Sequence, residues 1–261
     1  MSISASLVKE LREKTGVGMM DCKKALSETS GDLDEAVKYL RERGLAMATK
    51  KADRSAKEGR FFTEISGSTA GVVELNCETD FVASNDAFTD LGKSLAKAVI
   101  DQNIESQEAL ESATVNDKPI SEHISATVLK VGENLVLGKT ELIKADGTVA
   151  DYSHMNGKIA VVVAFSATVD ADLARDVAMH IAASNPSYVN RDQIPQEELN
   201  KEREILKTQV LNEGKPEAIV DKIVEGKISK YCQGICLVDQ VFVKNSDQKV
   251  ADILPEGVHV S

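Results

Sequence analysis

Gly71–Ile100, GVVELNCETDFVASNDAFTDLGKSLAKAVI, changes its hydrophobic period within a few residues. GVVELNC (Gly71–Cys77) alternates and predicts a strand, whereas Phe88, Leu91, Leu95, Ala98 and Val99 recur at helical spacing. A strand followed by a helix, rather than a run of one period, points to an α+β fold. At the junction sits Phe81, directly after Asp80, in a chain with six Phe, four Tyr and no Trp. Two readings stand side by side. Phe81 caps the local core while Asp80 satisfies turn amides, or Phe81 is an exposed anchor for a partner.

Upstream, FFTEI pairs with AGVVELNC across the turn SGST (Ser66–Thr69) as a hairpin. Downstream, Ile120, Ile124, Val128 and Val131 mark a second helix, and NLVLGKTELI and GKIAVVVAF read as strands. DADLARDVAMHIAAS is a helix capped at Asp170, with Leu173, Val177 and Ile181 inward. Hairpin then helix occurs twice, offset by roughly 85 residues, which suggests two related α+β core subdomains. Leu199, Leu206 and Val210 form one stripe, and Ile219, Val220, Ile223, Val224 and Ile228 a second beyond Pro216, as in a protruding antiparallel helical hairpin of coiled-coil type. LVDQVFVK returns to strand character.

The first 45 or so residues read as three short helices. Ile3, Leu7, Val8 and Leu11 line one, TGVG (Thr15–Gly18) breaks it, and the second offers Met20, Ala25 and Leu26 as apolar contacts. The third starts at the N-cap Asp32 with Glu35 three residues on, and it is expected to end near Gly44, with Arg41 and Arg43 at its negative end. The expected organisation is therefore residues 1–46 as a three-helix module, 47–60 as a basic linker open to helical character, and 61–140 as the first core subdomain. Residues 141–190 with 232–261 form the second, and 191–231 the hairpin.

Net charge is −11, but residues 1–60 carry 13 Lys and Arg against 10 Asp and Glu, so a mildly basic head sits on an acidic body. That balance argues against direct nucleic-acid binding, which needs clustered cations. No apolar run reaches the roughly 18 residues of a membrane span, and the N-terminus lacks a signal core, so a cytoplasmic protein without membrane contact is expected. The four cysteines form no CxxC pair and read as buried free thiols. Phosphate-loop, HExxH and GxSxG patterns are missing, and TGVGMMDC carries Asp21 where a dinucleotide fingerprint needs glycine. His180 lies on a mainly apolar helix face, and His154 falls in the turn of DYSHMNGKIA, so the histidines are scattered. The residues point to no metal, no cofactor and no covalent chemistry.

SASLVKELREKTGVGMMDCKKAL, VELNCETDFVA, AMHIAAS and EGKPEAIVDKIVEGKISKY, in this order between about Ser4 and Val243, closely resemble the bacterial translation elongation factor Ts family. The resemblance implies a guanine-nucleotide exchange factor for elongation factor Tu, the GTPase that delivers aminoacyl-tRNA to the ribosome. It implies a ubiquitin-associated-like N-terminal module whose Met19, Met20 and Lys23 dock on the GTPase domain. Thr79, Asp80, Phe81 and Val82 match the TDFV element, whose Phe inserts between helices of that domain and leads to loss of the Mg²⁺ contact. The second subdomain, with His154, Phe242 and Val243, would hold another domain of the partner. Gln240-Val241-Phe242-Val243 stands where the family usually has QPFV, and the family generally continues with a further strand and helix, so two expectations stand here: a shortened chain that lacks an edge strand, or a second subdomain that closes in another way. A passive adaptor that binds without changing the nucleotide state is the alternative.

Overall fold

The structure, a computed structural model, describes residues 3–260. Met1, Ser2 and Ser261, within the expected end segments, lie outside the described residues. Chain contacts divide into two units, one running to Ile143 and including Ser153–Ala160, the other Lys144–Tyr152 and Val161 onward.

In the first unit, α1 (Ala5–Thr15) begins where the Ser4 hydroxyl accepts from Leu7 N–H and ends at Gly16, whose φ of 69° suits glycine. α2 (Met19–Glu28) and α3 (Leu33–Lys51) follow, α3 capped by Asp32 accepting from the N–H groups of Asp34 and Glu35. Leu11, Cys22, Ala25, Leu26, Ala36 and Leu40 are buried between them. Met20 is not among them; it stands 75% exposed, and Cys22 takes the inward position expected of it.

α3 does not stop at Gly44 as its helix-ending residue type suggests. It continues through Met47 to Lys51, so the first part of the expected linker is helix. Gly44 is buried, and a β-carbon there would lie 2.9 Å from the Ser125 carbonyl oxygen. Its missing side chain lets α3 cross closely over α7 (described below), the reverse of a terminator's role. Arg41 and Arg43 are accordingly mid-helix. Arg41 pairs with Glu122 at 2.6 Å and Arg43 pairs with Asp21.

β1 (Glu58–Ser66) and β2 (Thr69–Cys77) form the expected hairpin, with Phe62 opposite Val73. A single helical turn, α4 (Asp80–Ala83), precedes α5 (Asp86–Asp101). Then come α6 (Gln107–Glu111), the two-residue strands β3 (Thr114–Val115) and β4 (Lys118–Pro119), α7 (Ile120–Val131) and β5 (Val136–Lys144). β5 joins the hairpin as the third strand, in the order β1-β2-β5. Phe62, Val73, Leu75, Phe88, Leu95, Val99 and Val128 fill the core between sheet and helices, and the rings of Phe62 and Phe88 lie 5.8 Å apart. Leu129 of α7 completes the three-helix module's own core, so these helices rest on α7 rather than standing alone.

β6 (Val149–His154) and β7 (Ile159–Ala164) pair as a hairpin, of which Val149–Tyr152 and Val161–Ala164 fall in the second unit, as does α8 (Ala171–Ser184), capped by Asp170. α9 (Gln196–Asn212) and α10 (Glu217–Ile235) bury Leu206, Val210, Val220, Val224 and Ile228 against each other. Glu198 ties their base together by accepting from the hydroxyls of Tyr188 at 2.7 Å and Tyr231 at 2.8 Å. That hydrogen bond to the carboxylate pushes the Tyr231 phenol up to about 12.

LVDQVFVK is not one strand. Leu237–Asp239 is a short 3₁₀ turn, and only β8 (Val241–Phe242) pairs, with β9 (Asn245–Lys249) ahead of the one-turn α11 (Val250–Ile253). The Gln240 side chain turns inward and donates to the Gly234 carbonyl at 2.8 Å, which bends the chain there. Its carbonyl oxygen faces His180 Nε2 at 3.0 Å, and Val243 N–H donates to His180 Nδ1 at 3.3 Å. A backbone N–H can only donate, so Nδ1 is an acceptor and Nε2 carries the proton. His180 is fully buried and neutral, the packed histidine its apolar helix face predicts. Among the described residues, no helix is long and apolar enough to cross a membrane.

Candidate functional site

The turn after β2 is capped twice within seven residues. The Thr79 hydroxyl accepts from Val82 N–H at 3.4 Å and starts α4. Asn85 then accepts from Ala87 N–H at 2.9 Å and starts α5. Both side-chain types are favoured at this position because they satisfy otherwise unpaired helix amides. With so short a helix between two caps, its four side chains divide into an outward pair and an inward pair. Val82 and Ala83 enter the core, and Asp80 and Phe81 are left facing water.

Phe81 is 84% exposed, the most exposed of the large hydrophobic side chains among the described residues. The reading in which it caps the local core is therefore wrong, because Val82 and Ala83 occupy that place. Leaving a phenylalanine in water forgoes about 1.5–3 kcal/mol of burial.

The turn carrying it is held from below. Glu133, in the loop between α7 and β5, accepts through Oε2 from the N–H groups of Glu78 at 3.0 Å and Thr79 at 2.9 Å, and through Oε1 from the Thr79 hydroxyl at 2.6 Å. In return Glu78 accepts from Asn134 N–H at 2.8 Å. Arg60 donates to the Ala83 carbonyl at 3.3 Å and to the Thr89 hydroxyl at 3.4 Å, holding the far side. The Cys77 thiol donates to the Thr79 carbonyl at 3.1 Å, and burial pushes this thiol up to about 11, which keeps it protonated and unreactive. Neither Glu133 nor Arg60 stands out in the sequence. Glu133 meets Thr79 across 54 residues, and no local period reports such a pairing.

The other expected site residues separate by exposure. Met19 and Met20, 54% and 75% exposed, occupy the first turn of α2, with Lys23 exposed on the next. His154 ends β6 rather than lying in the turn, and it too is exposed; Met155 and Asn156, with φ of 49° and 57°, make the turn itself. Phe242 departs from its expected place at the surface. It is 7% exposed, its ring lying 5.9 Å from that of His180, because the inward bend at Gln240 rotates it into the core. Its neighbours Val241 and Val243 are the exposed side chains of that segment.

The turn thus presents one unburied aromatic ring on a backbone fixed by an acidic side chain. A family model described as Elongation factor TS matches residues 78–259, from one residue before Thr79 to near the end of the chain.

Proposed function

Since the chain belongs to the elongation factor Ts family, we propose that it accelerates release of guanine nucleotide from elongation factor Tu by inserting Phe81 into that GTPase. The observation that carries this reading is the near-complete exposure of Phe81 on a turn that is otherwise tightly held.

A nucleotide in a GTPase is held by phosphate contacts and by a Mg²⁺ ion bridging its phosphate oxygens. An aromatic ring offers nothing to a phosphate. It acts by stabilising a conformation of the partner in which those contacts and the Mg²⁺ are displaced. Linkage makes the effect mutual: factor and nucleotide weaken each other's binding by the same factor, so incoming nucleotide expels the exchange factor. The chain performs no covalent chemistry in this cycle.

In this reading Thr79 caps the turn, Val82 anchors it in the core, and Asp80 and Phe81 meet the partner. Met19, Met20 and Lys23 on the ubiquitin-associated-like module (residues 1–46) dock on the same GTPase domain. His154 and Val243 hold a second domain of the partner, with Phe242 shaping that segment from inside. Residues 61–140 and 141–190 with 232–261 serve as the two core subdomains, 47–60 as the link from the module, and the protruding hairpin 191–231 as a further arm.

The test is release of a fluorescent GDP analogue from elongation factor Tu at increasing concentrations of this protein. A release rate that climbs and saturates is expected. Binding without acceleration would leave only the passive-adaptor reading.

A further inference from the structure

Glu133 is the strongest unassigned feature near the exposed ring. Its carboxylate takes three hydrogen bonds, two from consecutive backbone amides and one from the hydroxyl that caps α4. A carboxylate has capacity for about four, so this side chain is almost wholly committed to the segment from Glu78 to Thr79. It makes no such contact with Phe81, which it controls only through the backbone two residues earlier.

The loop that carries Glu133 is itself anchored. Asn134 Nδ2 donates to the carbonyls of Ala52 at 3.2 Å and Arg54 at 2.9 Å, just beyond α3, and Lys51 Nζ donates to the Gly132 carbonyl. The Arg54 guanidinium lies 3.5 Å from the Glu78 carboxylate, the same group that accepts from Asn134 N–H. The end of the N-terminal module, the loop 132–134 and the turn 78–82 therefore meet in one closed set of polar contacts. A set with every member paired rigidifies its backbone, and breaking one partner leaves the others unsatisfied.

We propose that Glu133 is a positioning residue for exchange, holding the turn so that Phe81 is presented in one orientation and does not yield when driven against the partner. The proposal rests on the exchange reading above. A ring on a loose turn can still bind, but it relaxes instead of deforming what it meets. Loss of Glu133 is therefore expected in the maximum release rate, more than in the concentration needed to reach half of it.

The experiment is a double-mutant cycle between Glu133→Ala and Phe81→Ala, reading saturating GDP-analogue release from elongation factor Tu, with the melting temperature of each variant alongside. Glu133→Ala should lower the maximum rate about tenfold when Phe81 is present, the scale of one lost charge-assisted hydrogen bond. In the Phe81→Ala background the same change should cost less than about twofold. Melting shifts of the two substitutions should simply add. Equal losses in both backgrounds, or a change confined to the half-saturating concentration, would overturn the positioning role while leaving the exchange reading intact. Failure of the unmodified protein to accelerate release, or of Phe81→Ala to slow it, would overturn both. Should Glu133→Ala not fold, Glu133→Gln replaces it, since it keeps one accepting oxygen for three donors and should show the same pattern at a smaller fold-change.

Discussion

Replacing Phe81 by Ala removes a side chain that contributes almost nothing to the isolated fold, since 84% of it already faces solvent. Stability should change by no more than about 0.5 kcal/mol, the usual range for surface substitutions. In the proposed exchange reading, the effect on nucleotide release should be much larger. Burying the ring in a partner yields about 1.5–3 kcal/mol. If that energy appears only in the strained complex, the maximum release rate falls by roughly tenfold to a hundredfold at about 1.36 kcal/mol per decade. Stopped-flow release of a fluorescent GDP analogue separates the maximum rate from the half-saturating concentration. An unchanged maximum rate with a raised half-saturating concentration would make Phe81 a docking anchor and refute the wedge. A melting temperature lowered by many degrees would show instead that the ring belongs to the fold. Phe81→Leu, which keeps an apolar side chain of lesser reach, should fall between the two.

Gly44→Ala should destabilise the protein by about 1–2 kcal/mol in a thermal melt, because the clash with the Ser125 carbonyl outweighs the roughly 1 kcal/mol gain in helix propensity; a rise in melting temperature would refute the close crossing of α3 and α7. Burial lowers the affinity of His180 for a proton below the ordinary value of 6.5, despite its bond to Gln240. The unfolded chain then binds more protons than the folded one, so this residue's contribution is complete above pH 6.5 and declines as pH falls towards the lower folded value, at up to about 1.4 kcal/mol per unit. In His180→Phe that part of the slope should vanish in denaturant melts taken across this window. The four thiols should react slowly with a disulfide reagent at pH 8 in the native protein and together on unfolding, since all are buried and burial pushes Cys77 and Cys236 up to about 11; a single fast thiol would contradict the packing.

Periodicity carried the reading wherever one face of an element is buried. The hairpin of β1 and β2, the α5 and α7 stripes, and the facing helices α9 and α10 are all legible because their apolar residues repeat at 2 or 3.6. It failed where one residue type serves two purposes. Gly44 reads as a helix end, yet the helix needs it for a close crossing that depends on Ser125, 81 positions away. LVDQVFVK has the β-branched and aromatic composition of a strand, but Gln240 is bonded inside to His180 and the Gly234 carbonyl. Phe81 was recognisable as unusual from its scarcity and its neighbours, whereas its exposure followed only from the two caps that fix which way α4 faces. Glu133 was invisible, because a glutamate in a loop looks the same whether it is solvated or holds three donors.

Energetics decide how such parts must cooperate. Raising a release rate by about 10⁴ requires about 5.4 kcal/mol at the transition state, and one buried phenylalanine supplies at most about 3. In the proposed exchange reading the remainder comes from contacts elsewhere, and the exposed Met19 and Met20 are the candidates. Binding energy gained at one place does work at another only if the structure between them does not give way. α3 provides that connection: its first half packs with α2, its middle crosses α7 at Gly44, and the chain just past its end is bonded to Asn134, beside the residue that holds the Phe81 turn. In the proposed exchange reading, a continuous helix through Gly44 is therefore worth more than a helix that ends there. On that same reading, a loose linker would let the module bind and the ring retreat, whereas a helix clamped at both ends would make docking and insertion one event.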